Sequence, residues 1–166
     1  EARMVSEGLA AAATDWCSHH AKGFDEGYCL IPLVDFRNVA AAIRSRILGQ
    51  LIKIYGSGHG AEPAELALLM DWTCGTGPRR TLGGAIVGRR KDHLIIGREP
   101  GRISGESLVV SGDGRGLWDH RFEVKAAPGS RVRALGEGGV ARLKTLPAFV
   151  QNALPAIELP DGSLCV

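Results

Sequence analysis

The stretch from Phe36 to Tyr55 constrains this chain more than any other part of it, because apolar side chains recur there at helical spacing. Phe36, Val39, Ala40, Ile43, Ile47, Leu51 and Ile54 fall on one continuous stripe, and a stripe of that width must be buried. Arg37 with Arg44 borders it on one side, Arg46 with Lys53 on the other. Asp35 stands where its carboxylate can accept from the first-turn amides, and Gly56, Gly58 and Gly60 stop the helix. Two more helices are predicted beside it. Met4 to Ala21 carries Val5, Leu9, Ala12, Ala13 and Trp16 on one face. Pro63 opens the other at a favourable first-turn position, with Leu66, Leu68, Leu69 and Trp72 behind it. Tyr28 to Val34 is rich in β-formers and reads as a short strand.

Gly75-Thr76-Gly77-Pro78 ends the helical part, and the pattern then changes. Arg80 to Arg90 and His93 to Arg98 read as a hairpin turning at Lys91-Asp92. Arg102 to Arg115 reads as loop with an edge strand at Leu108 to Val110, followed by short strands at Leu117 to Val124 and Arg131 to Leu135. Thr145 to Leu154 is a short helix opened by Pro147. Ala156 to Leu159 and Ser163 to Val166 form a hairpin across Pro160-Asp161-Gly162. The expected class is α+β, an N-terminal helical half followed by a strand-rich half with short hairpins. The domain boundary is expected at 76/77, giving a helical domain 1–76 and a strand-rich domain 77–166.

The net charge of +2 hides an asymmetry. Acidic residues outnumber basic ones up to Thr76, and the balance reverses beyond it, most densely between Arg79 and Arg102. A local basic surface on a nearly neutral chain suits a polyanion. No apolar run is long enough to span a bilayer. Glu1 in place of Met, with no signal-like start, suggests a piece of a longer cytoplasmic protein. Cys17, Cys29, Cys74 and Cys165 include no C-x-x-C pair and read as buried free thiols.

A search for catalytic constellations is empty. Cys17, His19, His20 and Cys29 lack the spacing of a structural zinc site, and adjacent helical histidines point about 100° apart. Gly112-Asp113-Gly114-Arg115-Gly116 has no strand-to-helix setting for a phosphate loop, and neither G-x-x-x-x-G-K-[ST] nor a G-x-S-x-G elbow occurs. Asp119 beside His120 in a strand would point to opposite faces, leaving Trp118 a packing residue. What remains is the basic set Arg79, Arg80, Arg89, Arg90, Lys91 and Arg98, with Arg44 and Lys53 from the central helix. One member of each consecutive Arg pair must face outward, and guanidinium forks suit phosphate oxygens. The hairpin itself has no aromatic residue on which a base would stack, which favours backbone and shape recognition of folded RNA.

Several motifs in order resemble bacterial tRNA(Ile)-lysidine synthases, in the form found in alphaproteobacteria. They are Leu48-Gly49-Gln50-Leu51, Tyr55-Gly56-Ser57-Gly58, Glu62-Pro63 with Leu66 to Leu69, Arg80-Thr81-Leu82-Gly83-Gly84 and Ile95-Ile96-Gly97-Arg98-Glu99. Leu117-Trp118-Asp119-His120-Arg121-Phe122, Ala153-Leu154-Pro155-Ala156 and Asp161-Gly162 continue the series. The resemblance covers most of the chain beyond about Ile31. Ser57-Gly58 stands where the family often has Gly-Gly, and Ala64 where it often has a basic residue. The resemblance implies a non-catalytic, tRNA-binding C-terminal region. The parent enzyme would use ATP and Mg to ligate lysine to C2 of the wobble cytidine of the CAU-anticodon isoleucine tRNA. That chemistry would lie in an N-terminal catalytic domain outside this chain, and this chain would need no cofactor of its own. The competing expectation is a structural or dimerisation module, a homodimer joined through an exposed stripe on Phe36 to Tyr55, with its arginines solvated.

Overall fold

The computed structural model describes residues 2–103, 105–137, 143 and 145–166. It contains five α-helices and eleven strands among them, four of the helices ahead of residue 75 and nine of the strands after it. The α+β class is therefore the one expected. The division into units is not. The chain separates into Glu1–Arg98 and Glu99–Val166, so the boundary falls at 98/99 and not at 76/77.

The reason is a long-range strand pair. The first unit runs α1 (Ala2–His20), β1 (Lys22–Phe24), β2 (Tyr28–Pro32), α2 (Leu33–Asn38), α3 (Ala41–Tyr55), α4 (Pro63–Cys74), β3 (Arg80–Leu82), β4 (Ala85–Arg90) and β5 (His93–Arg98). Its antiparallel sheet has the order β1-β2-β5-β4-β3. Tyr28 pairs with Gly97 and Pro32 with His93, so the arginine-rich hairpin completes a sheet begun before α2. One sheet face, carrying Cys29, Ile31, Ala85, Val87, Leu94 and Ile96, packs with the helices into a single buried cluster.

Phe36, Ile47 and Leu51 of the apolar stripe are buried and Ala40 and Ile54 are exposed, and the helix carrying it is broken. Val39 is extended (φ −82°, ψ 146°) and separates α2 from α3. Asp35 does not cap; it lies inside the first turn of α2, and Pro32 precedes that helix without a side-chain cap. Phe36 and Ile47 are fully buried, whereas Ile54 is 61% exposed. Leu48 and Ile52 are buried with them instead, because α3 packs against α1, α4 and β5 and so hides a broader arc than one stripe. Gly56 ends α3 where the backbone of Gly83 passes so close that an added Cβ would lie 2.3 Å from the Gly83 oxygen.

The second unit contains β6 (Ser107–Val109), β7 (Arg115–Trp118), β8 (Phe122–Lys125), β9 (Arg131–Ala134), α5 (Ala148–Ala153), β10 (Pro155–Glu158) and β11 (Leu164–Cys165). Its main sheet has the order β11-β10-β9-β6, with β6 at the edge as expected, and β7-β8 is a separate hairpin. Ile103, Val110, Trp118, Val124, Val132, Ala134 and Ala153 form its core. Leu117 to Val124 is thus two strands. Asp119 and His120 make the turn at positive φ (47° and 55°), a conformation usually left to glycine. All four cysteines are free, yet Cys74 and Cys165 are exposed, so only Cys29 fits the expectation of a fully buried thiol. Burial pushes the Cys29 thiol up to about 12, with the Cys17 sulfur adding to it.

Every strand pair of the first unit lies within Glu1–Arg98. A chain cut after Arg98 is expected to unfold cooperatively in urea, whereas one cut after Thr76, which loses three of the five strands, is expected to lack a cooperative transition. A cooperative transition in the shorter piece would restore the boundary at 76/77.

Candidate nucleic-acid interface

Strand pleating sorts the predicted arginines before any contact is considered, because alternate residues face opposite sides. On β4, Ala85, Val87 and Arg89 face the helices, leaving Ile86, Gly88 and Arg90 on the opposite face. On β3, Arg80 pairs with Val87, so Arg80 shares the helical side. There it lines a cavity of about 320 Å³ together with Glu65, Leu68 and Leu69 of α4. Arg79 lies on the opposite side, its Cγ 3.1 Å from where a Cβ on Gly88 would be.

Three of the predicted RNA ligands, Arg89, Arg44 and Arg98, make contacts within the first unit, as does Arg37, which was not among them. Arg89 donates from Nη2 to the Trp72 carbonyl at 2.7 Å, with its guanidinium 5.0 Å from the Trp72 ring centroid. Arg37 donates from Nε and Nη2 to the Thr73 carbonyl at 3.1 and 2.6 Å. Arg44 reaches Cys74 Sγ at 4.0 Å. Arg89, Arg37 and Arg44 converge on the last turn of α4, where unsatisfied carbonyls and the helix dipole favour cations. Arg98 is buried at 6% exposure and donates to the Gly84 carbonyl at 3.0 Å, tying the Gly83-Gly84 turn to β5. Arg98 is thus buried, and Arg89 and Arg44 are half-buried with contacts inside the first unit. No local pattern announces this, because arginine has the same spacing whether it caps a helix or contacts phosphate. Lys53 is exposed on α3, away from the sheet surface.

The face turned away from the helices gathers a different set. Lys22 pairs with Leu30 and Phe24 with Tyr28, which places Lys22, Phe24, Tyr28 and Leu30 on the side shared by Ile95, Arg79 and Arg90. Lys22, Arg79 and Arg90 are exposed, and Lys91 is exposed in the adjoining turn at φ 54°. Gly88 and Gly97 lie in the middle of this face, opposite Ile95 and Tyr28 respectively. The Arg79 stem lies over Gly88, and Gly88, Gly97, Tyr28 and Ile95 are buried on this side. The Phe24 and Tyr28 rings stack, centroids 4.4 Å apart and planes within 1°, and Lys22 Nζ stands 5.2 Å from the Phe24 centroid. Burial pushes the Tyr28 phenol up, the Glu26 carboxylate adds to the shift, and Arg90, a charged hydrogen-bonding neighbour, opposes it. The phenol is thus a neutral group against a guanidinium at physiological pH.

Of the eight predicted residues, Arg79 and Arg90 are exposed on the side of the sheet turned away from the helices, with Lys91 at its rim. The fold assigns Arg80 to the cavity by α4. Lys22, Phe24 and Tyr28 were not predicted. Their only sequence signal is the alternation of Lys22-Gly23-Phe24 with Tyr28-Cys29-Leu30 about the Asp25-Glu26-Gly27 turn. Elsewhere, Asp119 accepts from Arg121 Nε at 2.8 Å and leaves His120 exposed at the turn. Asp113 accepts from Ser111 Oγ and the Arg115 amide, which holds its carboxyl low and closes a local turn. His20 stacks on Trp16 at 4.6 Å, and no group of three or more metal-ligating side chains gathers among the described residues. No described helix is long and apolar enough to cross a membrane.

The division of labour among the arginines is measurable. Arg89→Ala, which removes a charge-assisted hydrogen bond and a cation–π contact, should lower the unfolding free energy by about 1–3 kcal/mol in chemical denaturation. Arg90→Ala should change it by less than about 0.5 kcal/mol, the range for an exposed site. Equal losses would contradict the assignment.

Compared with models of known families and with curated proteins, the chain matches none.

Proposed function

We propose that the chain is a non-catalytic tRNA-binding region of a cytoplasmic tRNA(Ile)-lysidine synthase, with the exposed cations on the helix-free side of the first unit's sheet as its RNA contacts. The observation that carries the reading is that Lys22, Arg79 and Arg90, with Lys91 at the rim, are spread over one side of a five-stranded sheet, the side turned away from the helices. Cations fixed on a sheet present phosphate ligands at set spacing, and such a surface contributes salt-dependent affinity. The motif order from Leu48 to Gly162 that resembles this family supplies the substrate, the CAU-anticodon isoleucine tRNA. On this reading ATP, Mg and lysine are handled by a catalytic domain on the amino-terminal side, and the present chain holds and orients the tRNA.

The alternative, a dimerisation module, would be favoured by an exposed stripe on Phe36 to Tyr55. Phe36, Ile47 and Leu51 are instead buried within the first unit, which leaves that alternative without its main support.

Titrating the chain with CAU-anticodon isoleucine tRNA at several salt concentrations, beside methionine tRNA, tests the proposal. Changing Arg79, Arg90 and Lys91 together to Ala should weaken binding and flatten the dependence of log affinity on log salt by roughly 2–3 units, about one per lost phosphate contact. Changing Arg44 and Lys53 should leave the slope unaltered. No binding at low salt, or an unchanged slope in the triple variant, would overturn it.

A further inference from the structure

We infer that the free edge of β3 takes an extended peptide segment of another protein, in which an apolar residue is followed two positions later by an acidic one. The site lies on the helical side of the sheet and does not rest on the RNA reading. It gives a role to Arg80, which the RNA contacts do not use.

β3 is the last strand of its sheet, and among the described residues no strand pairs with it beyond β4. The register fixes what that edge offers. Gly83 and Gly84, at φ 56° and 74°, make a two-residue turn closed by the Leu82–Ala85 pair. Such a closing pair exchanges both hydrogen bonds, and so does Arg80–Val87 further along the ladder. Thr81, between them, points its N–H and C=O out to the open edge. One step further the edge is shut, because Ser57 donates from its amide and from Oγ to the Gly83 carbonyl, both at 3.0 Å. Within β3 the opening is Thr81 alone, a short edge that admits a short strand.

Beside that edge the α4 side is apolar. Leu68, Leu69 and Leu82 line the cavity of about 320 Å³ with Glu65, Arg80 and Thr81, and Leu68 is 72% exposed. An apolar side chain laid against Leu68 removes surface from water that the fold leaves uncovered. Arg80 makes no ion pair or side-chain hydrogen bond among the described residues. The Glu65 carboxylate, by contrast, accepts from the Glu62 amide at 3.3 Å in the capping box of α4. The charge at the cavity left without a partner is therefore the guanidinium.

These features select a sequence. Every strand pair in this sheet is antiparallel, and one more antiparallel strand would set successive residues opposite Leu82, Thr81 and Arg80. Residues opposite one another share a face, so the first and third lie on the cavity side and the second on the other. The first is apolar, to cover Leu68 and Leu82, and the third is acidic, to meet Arg80. The other sheet-edge strands of this chain, Lys22–Phe24, Ser107–Val109 and Leu164–Cys165, lack that order, so the charges point to another protein and not to a second copy. Main-chain hydrogen bonds supply affinity in such strand addition, and the alternate side chains supply specificity.

The test titrates the full chain, nitrogen-labelled for NMR, with the acetylated and amidated peptide Thr-Leu-Thr-Glu-Thr. The Thr81 amide signal should move downfield as its new hydrogen bond forms. The reversed peptide Thr-Glu-Thr-Leu-Thr should bind about tenfold more weakly. N-methylation of the central threonine should abolish binding, and N-methylation of the glutamate should not, since its N–H points away from β3. Arg80→Glu should weaken binding severalfold and favour the peptide with lysine in place of glutamate. Leu68→Asp, at a site exposed enough to leave the fold intact, should weaken binding about tenfold. Equal affinity for the reversed peptide would overturn the inference. So would binding that survives methylation of the central amide, which would be apolar adhesion only, or an unmoved Thr81 signal at millimolar peptide.

Discussion

The antiparallel pairing of β2 with β5 is the constraint on which the first unit depends. It joins Tyr28–Pro32 to His93–Arg98 across the sixty intervening residues, about the cost of closing one long loop. Once made, it fixes the pleat of every neighbouring strand. Cys29, Ile31, Leu94 and Ile96 must then face the helices, and Tyr28, Leu30 and Ile95 must face away. A slip of one residue would exchange those two sets and put the arginines on the wrong faces. The core and the basic surface are consequences of one register.

The same register explains why consecutive arginines have unrelated roles. Arg89 and Arg90 differ by one pleat. The first supplies a donor to the Trp72 carbonyl, and the second lies exposed over a face lined by glycine. Arg79 and Arg80 divide in the same way, one over Gly88 and one beside α4. Charge density along the sequence overstates the charge on any one face by about a factor of two when strands supply it, because pleating alternates the faces. The surplus stabilises the fold, most visibly at the C-terminus of α4, where Arg37, Arg44 and Arg89 converge.

Local signals in the sequence were sufficient for the elements whose causes are local. Pro63 and the apolar spacing behind it place α4, and Pro160-Asp161-Gly162 places the last hairpin. The α+β class followed from the change in periodicity near Gly75. The break at Val39 was not legible, since neither Pro nor Gly marks it; tertiary packing bends the chain there. Nor was β1, whose three residues become a strand only by pairing with β2. The Asp119-His120 turn lacks the glycine that would have announced it. The boundary at Arg98 and the ring pair beside the arginines both require knowing that β2 meets β5, and no local pattern carries a partner sixty residues away. Of the candidate site, then, Arg79, Arg90 and Lys91 were legible, and Lys22, Phe24 and Tyr28 were not.

The central claim is that RNA meets the sheet face and not the helices or the second unit. Three exposed lysines report on these places separately: Lys22 on the sheet face, Lys53 on α3 and Lys125 on β8. Their acetylation can be followed by mass spectrometry with and without CAU-anticodon isoleucine tRNA at low salt. The account predicts that tRNA slows modification of Lys22 severalfold and leaves Lys53 and Lys125 unchanged. Protection of Lys53 or Lys125 with Lys22 still reactive would contradict it.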